Sequence, residues 1–264
     1  MRHFSLAMIA ALIACRVLSA QQPQQAPANS GFDPSKDPLD ALLVQWEQKM
    51  KGVETLKANL VRTKVDNTFK TTEVFEGQAQ YMKPNFASLE LKMRGQSTRF
   101  EKYISSGTYL YEYNQGTKEL RYHELPPPKP GQVADDSFLS FLFGMKADEA
   151  KRRYDIKFMG AGQDQNYYYI EIAPRSSADK ADFETAQLAL SKGTLLPRLL
   201  RFKAPNGDVI QWDIPSIESG ARLNRQDFEK PQVPFGWKQV RVARQDAGFD
   251  PQTNVPPRVV RPQK

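Results

Sequence analysis

Nucleophiles, bases and soft metal ligands are scarce in this 264-residue sequence, which has one cysteine, Cys15, and two histidines, His3 and His123. Cys15 and His3 fall in the leader described below, so the folded part keeps only His123. Disulfides, thiol catalysis and thiolate metal sites are thereby excluded, and one histidine does not make a common zinc site. No P-loop or dinucleotide fingerprint is present. Asp135-Asp136 is a carboxylate pair, but adjacent acids before a helical run read as caps rather than as general acid and base. Two distant carboxylates of the glycosidase type leave a polysaccharide-active enzyme or glycan binder as a third reading. The expectation is a non-enzyme with no cofactor and no metal.

The elements around these residues begin with export. Met1-Arg2-His3 is cationic, and Phe4–Ala14 is an almost unbroken run of Leu, Ile, Ala, Met and Phe. A basic start and a short apolar stretch with a small-residue exit describe a secretory signal peptide, residues 1–20. The run is shorter than the roughly 20 residues of a membrane span. Cleavage has two candidate sites. Ser19 or Ala20 ends an ordinary c-region, whereas Leu12-Ile13-Ala14-Cys15 resembles a lipobox in which Cys15 would be lipidated. The expected location is periplasmic or otherwise exported, with a lipid-anchored form through Cys15 as the alternative.

Residues 21–37, rich in Gln, Pro and Ala, read as a disordered linker, and residues 245–264 as a disordered tail. Residues 38–244 suit one all-β domain, expected to be monomeric. The net charge of +7 includes Arg2 and Arg16, and the remaining basic residues are scattered. Nucleic-acid binding requires a concentrated basic stripe, so none is expected.

Leu39, Leu42, Leu43, Trp46 and Met50 form one apolar stripe of a helix capped by Asp37, started by Pro38 and ended by Gly52. Period two then takes over. Ala58–Val65 is a first strand. Phe69, Thr71, Phe75, Ala79 and Tyr81 share one parity of the next, and Ala87, Leu89, Leu91 and Met93 alternate with polar residues. Tyr109, Tyr111 and Tyr113 line one side of a strand whose hairpin partner carries Leu120 and Tyr122. Residues 154–159 and 167–172 pair around Gly160-Ala161-Gly162, and residues 183–190, 195–203 and 209–214 form a third group with turns at Lys192-Gly193 and Asn206-Gly207. The fold class is mainly β with a few helices, an antiparallel meander. A Pro-rich break at residues 126–131 precedes Phe138–Phe143, a short helix apolar on almost every side, which must be buried or bind something apolar.

Several segments resemble the LolA family of periplasmic lipoprotein carriers. Gly77 followed by Lys83-Pro84-Asn85-Phe86 is similar to the family's G-x-x-x-x-x-[KR]-P-N segment. Ser106-Gly107-Thr108-Tyr109-Leu110-Tyr111-Glu112-Tyr113 is similar to its D-G-x-x-L-W-x-Y strand. The opening helix followed by Val53–Leu60 and the closing Asp227-Phe228 with Pro231, Val233 and Pro234 resemble its two ends. The order holds over roughly residues 40–242. The chain also resembles an uncharacterised planctomycete-type branch of exported proteins.

The resemblance implies a single antiparallel, incompletely closed β-barrel of about 10–11 strands, with an N-terminal helix and a short apolar helical lid at Phe138–Phe143. It implies a carrier or chaperone that holds lipid or lipoprotein acyl chains in an apolar cavity and meets envelope protein donors or acceptors. Alternatively, it implies a regulatory or scaffold module of the same fold. Candidate cavity residues are Phe75, Tyr81, Leu89, Leu91, Met93, Tyr109, Tyr111, Phe138, Phe141 and Leu142. Lys83 stands where the carrier typically has an arginine that controls cavity opening. Burying a methylene gains about 0.8 kcal/mol, so a fourteen-methylene chain gains on the order of 11 kcal/mol gross.

Overall fold

The computed structural model describes residues 31–125, 146–159 and 164–242. The leader with Cys15, the Phe138–Phe143 run, the Gly160–Gly162 turn and residues 245–264 lie outside these residues.

Helix α1 (Pro38–Lys51) forms where its signals place it. Asp37 accepts the Leu39 N–H at 2.8 Å, Lys49 and Lys51 occupy the last turn, and Gly52 caps the end;. Leu39, Leu42, Leu43, Trp46 and Met50 are all buried. Ahead of it, Phe32 packs against the same core and the Asp33 N–H donates to Asp40.

The chain continues through β1 (Thr55–Asp66), β2 (Thr71–Met82), β3 (Phe86–Met93), β4 (Gln96–Ser106), β5 (Tyr109–Asn114) and β6 (Glu119–Glu124). Helix α2 (Ala147–Arg153) leads into β7 (Tyr154–Phe158), then β8 (Tyr167–Pro174), α3 (Ser177–Asp182), β9 (Thr185–Ser191), β10 (Pro197–Lys203) and β11 (Val209–Ser219). A 3-10 turn at Arg225–Phe228 precedes β12 (Lys238–Arg241). All twelve strands form one sheet in the order β12-β6-β5-β4-β3-β2-β1-β11-β10-β9-β8-β7. Every pairing is antiparallel except β12 with β6, which is parallel. The end strands β12 and β7 do not pair with each other, so the barrel stays open.

Twelve strands exceed the ten or eleven expected because β4 and β12 escape the alternation pattern. β4 turns Glu101 toward the core, so it has no dry face to read. β12 has only four residues.

Cross-strand partners share a face, so the register assigns each side chain to one side of the sheet. Leu56, Tyr81, Ala87 and Ser105 form one row across β1–β4, and Leu60, Gly77, Leu91 and Glu101 another. The same inner face continues through Ile214, Leu200, Leu188, Ile170 and Ile156 at the other end of the sheet. Helices α1 and α2 cover this face. Their docking is polar as well as apolar: Lys151 lies 2.8 Å from the buried Asp40, and Glu47 accepts the Ala147 N–H at 2.8 Å.

A smaller cluster occupies the outer face: Ile104, Tyr111, Tyr113 and Leu120, with Phe100, Tyr109, Tyr122 and Trp237 against it. The chain after β11 covers it, as Trp237 stacks on Phe100 and the fully buried Phe228 packs on Phe86.

Candidate functional site

The sequence placed seven described residues on one apolar wall, and the structure divides them. Phe75, Tyr81, Leu89, Leu91 and Met93 share the inner face of β2 and β3 and belong to one cluster with α1. Tyr109 and Tyr111 do not join them. Tyr111 pairs with Ile104, which pairs with Ser88, and that row continues to Gln80 and Lys57 on the outer face. The expectation that these two tyrosines line the same cavity is therefore corrected. They pack with Tyr122 in the outer cluster, at ring-centroid distances of 5.8 and 6.0 Å. Alternation within β5 makes a tyrosine stripe but does not say which side it faces. Phe138, Phe141 and Leu142 lie outside the described residues.

The five inner residues are not equally accessible. Leu91 and Phe75 are sealed, at 0% and 2% exposed. Tyr81, Leu89 and Met93 are only partly buried at the margin of the core. Beyond them the inner face turns polar: Leu89 is followed across β4, β5 and β6 by Tyr103, Glu112 and Arg121. Burial pushes the Glu112 carboxyl above its ordinary range, against the pull of Arg121;. His123 lies on the same face beside Leu110, and burial lowers its imidazole below the ordinary value.

Sequence reasoning missed an ion pair at the end of this face where β1 meets β2. Arg62 on β1 donates through both terminal nitrogens to Glu101 on β4, at 2.7 and 2.6 Å. Its guanidinium lies 4.6 Å from the Phe75 ring centroid and 5.4 Å from that of Trp212;. Arg99 pairs with Glu73 at 2.7 Å close by. A charged side chain inside a strand of apolar parity was the only signal available for Arg62.

Lys83 donates to the Lys51 carbonyl at 2.5 Å and to Glu54 at 2.7 Å. It is a cation tied to the C-terminal end of α1, where the helix dipole favours it. The remaining motif residues meet at the same end of the sheet. Asn85 donates to the Gly107 carbonyl at 2.6 Å, and Ser105 donates to the Asn85 carbonyl. Gly107 has φ +86°, and a Cβ there would press on the Phe86 ring;. Phe86 also receives Phe228, so three of the motif segments form one structural corner rather than a cavity wall.

No group of three or more His, Cys, Asp or Glu residues that could hold a metal occurs among the described residues. No described helix is long and apolar enough to cross a membrane.

No protein-family model matches the chain, and no curated protein matches it. Solved structures do. The chain is similar to an uncharacterised conserved protein from Thermus thermophilus, at 11% identity and TM-score 0.48, over 78% of this chain and 100% of that one. It is similar to a chain of the Pseudomonas aeruginosa MucA/MucB complex, at 12% identity and TM-score 0.42, over 73% of this chain and 63% of that one. A LolA superfamily protein from Nitrosomonas europaea matches at 10% identity and TM-score 0.34, over 71% of this chain and 96% of that one. One of the three thus bears the family name that the sequence motifs resemble.

Proposed function

We propose that this protein is an exported lipid- or lipoprotein-binding carrier or chaperone of the cell envelope, which holds acyl chains against the inner face of its open sheet. The observation that carries this reading is the uneven cover of that face. α1 and α2 pack on it, yet Tyr81, Leu89 and Met93 on β2–β3 remain partly open, as do Phe158, Tyr168, Phe202 and Trp212 on β7, β8, β10 and β11. An acyl chain laid there gains burial without displacing the sealed core around Leu91. Phe138, Phe141 and Leu142 supply further apolar contact in this proposal, and Lys83 regulates access by holding the end of α1.

Leu89→Arg places a cation at the open margin, and Phe141→Asp places an anion in the apolar run. Both are expected to weaken binding of a fluorescent fatty-acyl probe by tenfold or more (about 1.4 kcal/mol per tenfold) while the melting temperature of Phe141→Asp stays near that of the parent. Unchanged probe binding in both variants would contradict the proposal. A folded protein without lipid but with a stable envelope partner would instead support a regulatory or scaffold module.

A further inference from the structure

The exposed apolar side chains of this protein are not scattered. Among the described residues, the large hydrophobics left exposed are Val65, Phe69, Val233 and Phe235. Phe69 is 68% exposed in the turn between β1 and β2, and Phe235 is fully exposed in the turn that opens β12. Val65 and Val233 flank these two turns.

Both turns lie at one end of the sheet. β1 ends and β2 begins there, since Asp66 pairs with Thr71. Strand alternation carries the β3–β4 and β5–β6 turns to the same end. The Lys238 N–H donates to the Lys118 carbonyl in the β5–β6 turn, which fixes the Phe235 turn beside it. Five strand steps separate β12 from β2, so the two phenylalanines stand roughly 24 Å apart along the rim, at about 4.8 Å per step.

Neither turn is slack. The Asp66 carboxylate accepts the Thr68 and Phe69 N–H groups at 2.9 and 2.8 Å. The Trp237 N–H closes the other turn on the Pro234 carbonyl at 3.0 Å, and Trp237 stacks on Phe100. A fixed backbone thus holds each ring in solvent, where an apolar side chain gains nothing.

The charges around them lean positive. Three carboxylates at this part of the rim are ion-paired, Glu76 with Arg94, Glu73 with Arg99, and Glu119 with Arg121, while Asp66 and Asp208 accept backbone N–H groups of the Phe69 turn. Lys70, Lys118 and Lys238 are exposed, and among the described residues none has a salt bridge. Two projecting aromatic rings beside exposed lysines that form no salt bridge are complementary to a surface that is negative outside and apolar a few ångströms deeper.

We propose that this rim docks on an anionic lipid bilayer. Phe69 and Phe235 enter the boundary between headgroups and acyl chains, and Lys70, Lys118 and Lys238 meet lipid phosphates. The proposal does not depend on what the inner face holds, because none of these residues lines it.

The test uses the whole chain carrying Cys15→Ser, so that no acyl anchor contributes, purified after export. Sedimentation is measured with phosphatidylglycerol/phosphatidylethanolamine vesicles and with phosphatidylcholine vesicles. The expected result is partitioning onto the anionic vesicles at least about tenfold stronger, weakened in about 0.5 M salt. Phe69→Ser/Phe235→Ser and Lys70→Glu/Lys118→Glu/Lys238→Glu are each expected to lose about tenfold or more while melting as the parent does. Equal partitioning onto both vesicles, partitioning onto neither, or an unaltered double-phenylalanine variant would overturn it. Acyl-probe binding in these variants stays at the parental level, which separates failure of docking from failure of the carrier reading.

Discussion

Arg62 reaches Glu101 across two intervening strands, and both side chains are almost fully buried. Removing one partner leaves the other charge in an apolar place, which costs about 3–5 kcal/mol, whereas removing both together is often nearly neutral. Arg62→Met is therefore expected to lower urea stability strongly, and Arg62→Met/Glu101→Leu to recover most of the loss. Equal losses in the single and double variants would mean that the pair is not what the site requires. Asp179 is a second engaged acid. The bidentate Arg153 guanidinium, at 2.7 and 3.0 Å, holds its carboxyl below the ordinary range against some burial. A depressed folded value means that the stabilisation is complete above the unfolded value near 3.9 and is lost as pH falls through the lower folded value. Acid unfolding of Asp179→Asn should thus show a shallower pH dependence below about pH 4 than that of the parent.

Elements were legible in proportion to how cleanly their residues alternate. α1 was written in its caps and its five-residue stripe, and β1–β3 in their period-two runs. β4 was not, because Glu101 occupies an inward position that its partner Arg62, 39 residues away, makes tolerable. The facing of β5 was also beyond the sequence. Both parities of a strand between two cores carry apolar groups, and only pairing with Ile104 decides the side on which Tyr111 lies. The motif residues were visible in the sequence, but the contacts they make were not. Asn85, Gly107 and Phe228 build a corner, and Lys83 ties that end of β2 to α1. Lys83→Met is expected to cost about 0.5–1 kcal/mol in thermal or urea unfolding, because it frees the last carbonyls of α1. It should also speed acyl-probe exchange if α1 gates the margin. An unchanged exchange rate would restrict Lys83 to a structural part.

At the scale of the whole molecule, one open twelve-stranded sheet has a different cover on each face. α1 and α2 lie within it, and the segment after β11 lies on the back of β3–β6. Large sheets with two such faces normally close or fill, and here the inner face is filled only in part. That incomplete filling is the basis of the carrier reading. Native mass spectrometry of the protein purified from the envelope of its own cells tests it most directly. The account predicts a folded species heavier than the polypeptide by the mass of one acyl lipid or lipoprotein chain, released on collisional activation. A folded protein that emerges lipid-free and takes up no acyl chain from added lipid would contradict it.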